Sequence, residues 1–319
     1  MKFGIFYEHQ LPRPWSDGDE HRLLKDALDQ VQLADRLGYD YLWEVEHHFL
    51  EEYSHSSAPE VFLAAASQRT KQIRLAHGII QLTTNHPARV AERVSTLDLI
   101  SGGRVEFGIG EGSSITELHP FGRRFRDKRS VWEDAVRAII PMFKSEAWEY
   151  HGEHFDFPLR NVLPKPYQKP HPPFSIAGGG RRVLSLAARE ADIVGLNANL
   201  YAGVIDQRVG PSATPAATDE KLGWIREAAG DRFDDLELQT RVHIATITDD
   251  PGSFAELMAP ALGISPDDAL ASPHVLAGSV GQCVETLLMW RERWGLSYIA
   301  ISEDAMVEFA PVVDALAGV

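Results

Sequence analysis

Ile73–Ile109 reads IRLAHGIIQL-TTNH-PARVAERVSTLDLI-SG-GRVEFGI. The first run, Ile73–Leu82, is apolar and of strand length. Pro87–Ile100 then carries Val90, Val94 and Leu97 on one helical face, and Gly103–Ile109 is apolar again. The stretch predicts strand, helix, strand, and two strands joined by a helical crossover run parallel.

The same alternation continues toward the N-terminus. Lys2–Tyr7 and Tyr39–Val45 read as strands. His21–Leu37 reads as a helix on Leu24, Leu28, Val31 and Leu37, and Pro59–Thr70 as a helix with proline in its first turn. Toward the C-terminus the rhythm breaks. Glu111–Lys128 is polar, Ser130–Phe143 is helical, and Trp148–Phe157 reads as a hairpin around His151-Gly152. Val162–Pro173 holds five prolines, which neither pair in a sheet nor continue a helix.

The alternation resumes with strands at Phe174–Ala177, Asp192–Leu196, Leu236–Ile247 and Ser297–Ile301. Helices are expected at Arg182–Glu190, Glu220–Ala229, Ser253–Leu262, Val280–Trp294 and Val307–Leu316, with a loop at Val209–Thr218. Ser279 with Gln282 three residues on marks a capping box. Eight strands separated by helices predict an α/β fold, a (β/α)₈ TIM barrel over residues 1–319 with an insertion at about 111–172. A doubly wound sheet is the structural alternative.

Composition narrows the partners. A net charge of −15 repels nucleic acid and anionic membrane. The lone cysteine, Cys283, forms no intrachain disulfide, which fits a reducing cytoplasm. The N-terminal apolar run is too short for a secretion signal, and no stretch approaches the length of a membrane span.

In a (β/α)₈ barrel the chemistry lies at the C-terminal strand ends. Those ends hold Glu8 and His9; Glu44, Glu46, His47 and His48; Gln81 and Asn85; Gly110 and Glu111; and Arg241 and His243. Gly178-Gly179-Gly180-Arg181 sits between a strand and a helix, where backbone N–H groups reach an anion and the helix dipole favours it. The bland alternative is a tight turn that needs positive φ. Gly108-Ile109-Gly110-Glu111-Gly112 is only part of a dinucleotide fingerprint, and it follows the wrong strand. Glu46-His47-His48 is a poor metal motif, because neighbours on a strand face opposite ways. No metal is expected there, and a single imidazole serving as acid/base fits better. There is no Gly-x-Ser-x-Gly elbow.

Taken together, Glu44–Leu50 (EVEHHFL), Asn85–Arg89 (NHPAR), Gly102–Gly110 (GGRVEFGIG) and Leu163–Pro173 (LPKPYQKPHPP) resemble the bacterial-luciferase-like flavin monooxygenase superfamily. Residues 1–173 resemble its flavin-dependent monooxygenases. Residues 174–319, above all Ser175–Leu196, resemble the branch predicted to use the deazaflavin coenzyme F420. A natural intermediate, a reconstructed ancestor or an engineered chimera would each give this pattern.

The resemblance implies a luciferase-like barrel, often dimeric, with reduced FMN in its mouth and F420 as the alternative cofactor. It implies a small organic substrate and a flavin reductase as partner. His47 takes the acid/base position and Glu46 stands beside it. A non-proline cis peptide falls at Gly78-Ile79, and Gly178, Gly179, Gly180 and Arg181 take the phosphate region. Gly110 stands where bacterial luciferase has its reactive cysteine, and Glu111 where a basic residue follows; Ser113 lies in the same loop. In the deazaflavin branch an acidic group here serves as proton donor, so Glu111 is a second catalytic candidate. A non-catalytic barrel is the reading from another functional class.

Overall fold

The computed structural model describes residues 1–112, 114–199 and 207–318. In chain order the elements begin β1 (Lys2–Tyr7), α1 (Asp19–Arg36), β2 (Tyr41–Glu44), α2 (Pro59–Ser67), β3 (Arg74–His77), β4 (Ile80–Gln81), α3 (Pro87–Ser101) and β5 (Val105–Gly110). The next segment holds α4 (Ile115–Leu118), α5 (Lys128–Lys144) and the hairpin β6 (Trp148–His151) with β7 (Asp156–Arg160). Then come β8 (Phe174–Gly178), α6 (Arg181–Glu190), β9 (Ile193–Leu196), α7 (Pro215–Ala229), β10 (Glu237–Arg241) and β11 (Ile244–Ile247). The chain closes with α8 (Pro251–Leu262), α9 (Pro266–Ala271), β12 (Val275–Gly278), α10 (Val280–Trp294), β13 (Leu296–Ser302) and α11 (Met306–Leu316).

Contacts divide the chain into two compact units. The first is Met1–Phe6, Arg36–Tyr41 and Ser175–Val319; the second is Tyr7–Asp35 and Leu42–Phe174. In the first, parallel ladders run β1 to β13, β13 to β10, β10 to β9 and β9 to β8. β1 is buried on both faces after Lys2, as a strand of a covered parallel sheet must be. In the second, β5 pairs parallel with both β3 and β4, and β2 neighbours β3. β3 and β4 are one strand interrupted at Gly78-Ile79, a cis peptide. Five strands in one unit and three in the other make the eight parallel strands of an α/β barrel of the luciferase-like (β/α)₈ class.

Local chemistry explains the boundaries. α3 opens on Pro87, whose missing N–H costs nothing there, and stops at Gly102, φ 70, where a left-handed residue ends the helix. α10 opens on the expected box, with Ser279 and Gln282 bonding reciprocally.

Three expectations need correction. The strand expected over Leu236–Ile247 is two strands. After Arg241 the backbone leaves β13, and β11 pairs with β12 in a separate sheet. His243 N–H donates to the His274 carbonyl at this departure. Neither β12 nor α9 was expected. The loop expected over Val209–Thr218 holds a 3₁₀ turn, Gly210–Ser212, and the start of α7, where Thr214 caps Ala217 and Pro215 takes the first turn. Pro215 here opens a helix, since its fixed φ suits the first turn.

Candidate active site

The polar residues at the ends of β2 and β4 meet inside the second unit. Glu44 is fully buried. Its carboxylate pairs with His9 Nε2 at 2.9 Å and accepts the Ser56 hydroxyl. Burial pushes the Glu44 carboxyl up, and the His9 ring pulls it back. His9 holds a left-handed backbone, φ 52, a conformation uncommon outside glycine. Such conformations cost about 1–3 kcal/mol and concentrate at functional sites.

Two residues on, Glu46 gathers three donors. Oε1 lies 3.0 Å from His48 Nε2 and accepts Asn85 Nδ2 at 2.8 Å, and Oε2 accepts the Gln81 backbone N–H at 2.7 Å. His47 turns elsewhere. Its Nδ1 lies 3.0 Å from Glu117 Oε1, and its ring meets Tyr53 edge-on at 5.3 Å. The His47 side chain is 22% exposed, whereas that of Glu117 is fully buried.

Glu117 Oε1 also accepts His48 N–H at 3.1 Å and Gln81 Nε2 at 2.7 Å. Burial would raise the Glu117 carboxyl, but these donors, His47 foremost, hold it below the ordinary carboxylate range. Glu117 Oε2 and Gln81 Oε1 are buried with no protein hydrogen-bond partner. Beside the network, His48 and Phe49 pack on Phe121 at 4.8 and 5.6 Å, and Phe49 is 56% exposed.

The second unit thus holds His47, Glu46, Gly78, Ile79 and Gly110. Gly78 N–H donates to the Glu44 carbonyl. A Cβ on Gly110 would lie 2.7 Å from the Ile79 side chain, so that position is filled without a side chain of its own. Glu111 presents its carbonyl to the Thr83 hydroxyl at 3.0 Å. Ser113 lies outside the described residues.

The glycine turn belongs to the first unit. None of its glycines has positive φ, so the tight-turn alternative does not explain them. A Cβ on Gly178 would meet Val183, and one on Gly179 would stand 2.5 Å from the Ala198 carbonyl oxygen. Gly180 has nothing within 4 Å and gives α6 no side-chain cap. Arg181 pairs with Glu227 at 2.7 Å. Among the described residues no group of three or more His, Cys, Asp or Glu is arranged to hold a metal.

Sequence reasoning missed Glu117. Ser114-Ile-Thr-Glu117 has capping-box spacing, a signal that would have placed a helix start here. Ser114 does cap Thr116, but the Glu117 carboxylate turns inward to His47.

A parallel barrel whose strand ends collect imidazole, carboxylate and amide groups beside a cis peptide is built as an enzyme scaffold. Residues 1–206 match the luciferase-like monooxygenase family, and the chain belongs to that family. The flavin-dependent trigonelline monooxygenase, oxygenase component, of Acinetobacter baylyi is 29% identical over 184 residues, 56% of this chain and 49% of that protein. The F420-dependent glucose-6-phosphate dehydrogenase of Amycolatopsis mediterranei is 27% identical over 175 residues, 53% of this chain and 52% of that protein. The chain spans about half the length of these curated relatives. The crystal structure of monooxygenase RslO1 from Streptomyces bottropensis has the same fold, with a TM-score of 0.79 at 24% identity over 99% of both chains.

Proposed function

We propose that this chain is an oxidoreductase of the monooxygenase type that acts on a small organic substrate with reduced FMN. The observation that carries the reading is His47, a partly exposed imidazole tied at Nδ1 to a buried carboxylate. Such a ring has one nitrogen engaged and the other left for proton exchange.

The β8–α6 turn fits a terminal phosphate. The first backbone N–H groups of a helix have no intrahelical partner, and the ten-residue α6 has no side-chain cap over them. Gly180 leaves that approach open, and Gly179 allows the turn to lie against Ala198. Arg181 engages Glu227 through Nη2 and keeps its remaining guanidinium donors for a phosphate. Bound there, the flavin supplies the redox chemistry, and the protein supplies binding, orientation and proton handling. Glu46, Gly78, Ile79 and Gly110 are proposed to border the cofactor. The partner is a separate flavin reductase, a reading supported by the relative described as an oxygenase component.

A deazaflavin hydride-transfer reaction is the second reading. Glu111, which follows Gly110 in the chain, is the acidic group that this reading assigns as proton donor. Titration with reduced FMN, reduced riboflavin and reduced F420 separates the two. FMN should bind more than about tenfold tighter than riboflavin, since charge-assisted phosphate bonds are lost with the latter. Equal affinity for the two removes the phosphate site, and tight binding of F420 alone reverses the ranking.

A further inference from the structure

Glu117 Oε1 receives two donors that can only donate, the His48 backbone N–H and the Gln81 side-chain amide N–H. An oxygen so surrounded carries no proton of its own and can only accept. The third group on that oxygen is His47 Nδ1, at 3.0 Å. An imidazole nitrogen this close to an obligate acceptor must itself bear the hydrogen.

We infer that Glu117 is the positioning residue of the site: it fixes His47 as the Nδ1–H tautomer and leaves Nε2 as the working nitrogen. The inference deepens the acid/base reading of His47 and rests on it for its functional consequence. Neutral His47 then takes a proton at Nε2 from substrate or solvent. The resulting imidazolium keeps its Nδ1–H on the Glu117 carboxylate, and the same Nε2 returns the proton. A carboxylate behind an imidazole orients the ring and stabilises the charged form without being protonated itself.

Burial and hydrogen bonds anchor the placement. Glu117 is fully buried and sits on α4, whose start is fixed by Ser114. The Gln81 amide that donates to Glu117 also donates to the Glu46 carbonyl at 2.8 Å, tying α4 to the end of β2. Tyr53 stands edge-on to the ring at 5.3 Å and closes one side of it. The segment after β5, which carries no barrel strand before β8, thus supplies the group that orients a histidine of the loop after β2.

The test uses nitrogen-15 NMR of the imidazole side chains in the protein without cofactor, with the His47 signals identified by their loss in His47→Gln. The parent should show a protonated Nδ1 and an unprotonated Nε2 in the neutral ring; a protonated Nε2 overturns the inference. Glu117→Leu should lose this preference. Glu117→Gln should keep it, because the two fixed donors hold the amide oxygen, not the amide nitrogen, at the shared position. Reoxidation of protein-bound reduced FMN in air, followed by absorbance, gives the functional arm. Its rate should change by about tenfold or more in Glu117→Leu and return toward the parent in Glu117→Gln, within the about 10²–10⁴-fold range of a positioned acid/base. A Leu variant that keeps both tautomer and rate overturns the inference. If Glu117→Leu does not fold, the parent and Gln spectra decide. A His47→Gln variant with an unchanged rate removes the acid/base reading and leaves the tautomer assignment to the spectra.

Discussion

His77 and His274 are both buried, and burial pushes both imidazoles down to about 4. The unfolded chain binds their protons at the ordinary value of 6.5, so it holds more protons than the folded chain between the two values. Stability that is complete above pH 6.5 is therefore lost as pH falls toward 4. The loss is on the order of 3 kcal/mol for each ring. The thermal midpoint should fall steeply over that window, and His77→Gln should flatten part of the slope. A slope unchanged in that variant would assign the acid sensitivity elsewhere. His77 was legible as a strand residue, but its burial was not. The neighbouring strand approaches this closely because Gly108 has no side chain: a Cβ there would stand 2.0 Å from the His77 carbonyl oxygen. His47 was legible through its neighbours in the chain. Glu117, far from it in sequence, was not, because a polar stretch gives no sign of which carboxylate turns inward.

The β8–α6 turn shows how three identical residues divide their work within one connection. Gly179 is needed for close backbone approach, and Gly180 faces open space. Gly179→Ala should cost roughly 1–3 kcal/mol, the usual penalty of forcing atoms into a filled site. Gly180→Ala, at φ −112, should stay within about 0.5 kcal/mol of the parent, as an unstrained surface change does. Chemical denaturation of the two variants reads the contrast, and equal losses would refute the division. The sequence marked the turn, since strand, glycines and helix follow in order. It did not reveal that Ala198 closes on Gly179. The split of β10 from β11 was hidden for a like reason. Glu237–Ile247 is continuous in pattern, and only the His274 segment, distant in the chain, draws the second half away.

At the scale of the whole molecule, helices α2 and α3 leave Val61, Leu99 and Ile100 at 66%, 42% and 49% exposure. Exposed apolar side chains on two adjacent helices favour burial against a second copy. We predict a homodimer through these helices, with light scattering at micromolar concentration giving twice the chain mass and Val61→Glu shifting it to monomer. A monomeric parent would end that proposal. The alternation of strand and helix, the capping box of α10 and the polar strand ends were written in the sequence by itself, because each depends on residues a few positions apart and on backbone periodicity. The pairing of His47 with Glu117, the approach of Ala198 to Gly179 and the transfer of β11 to β12 were decided only by the tertiary structure. Each joins segments whose separation along the chain leaves no local pattern, and packing alone determines which of many polar or small residues comes within bonding distance.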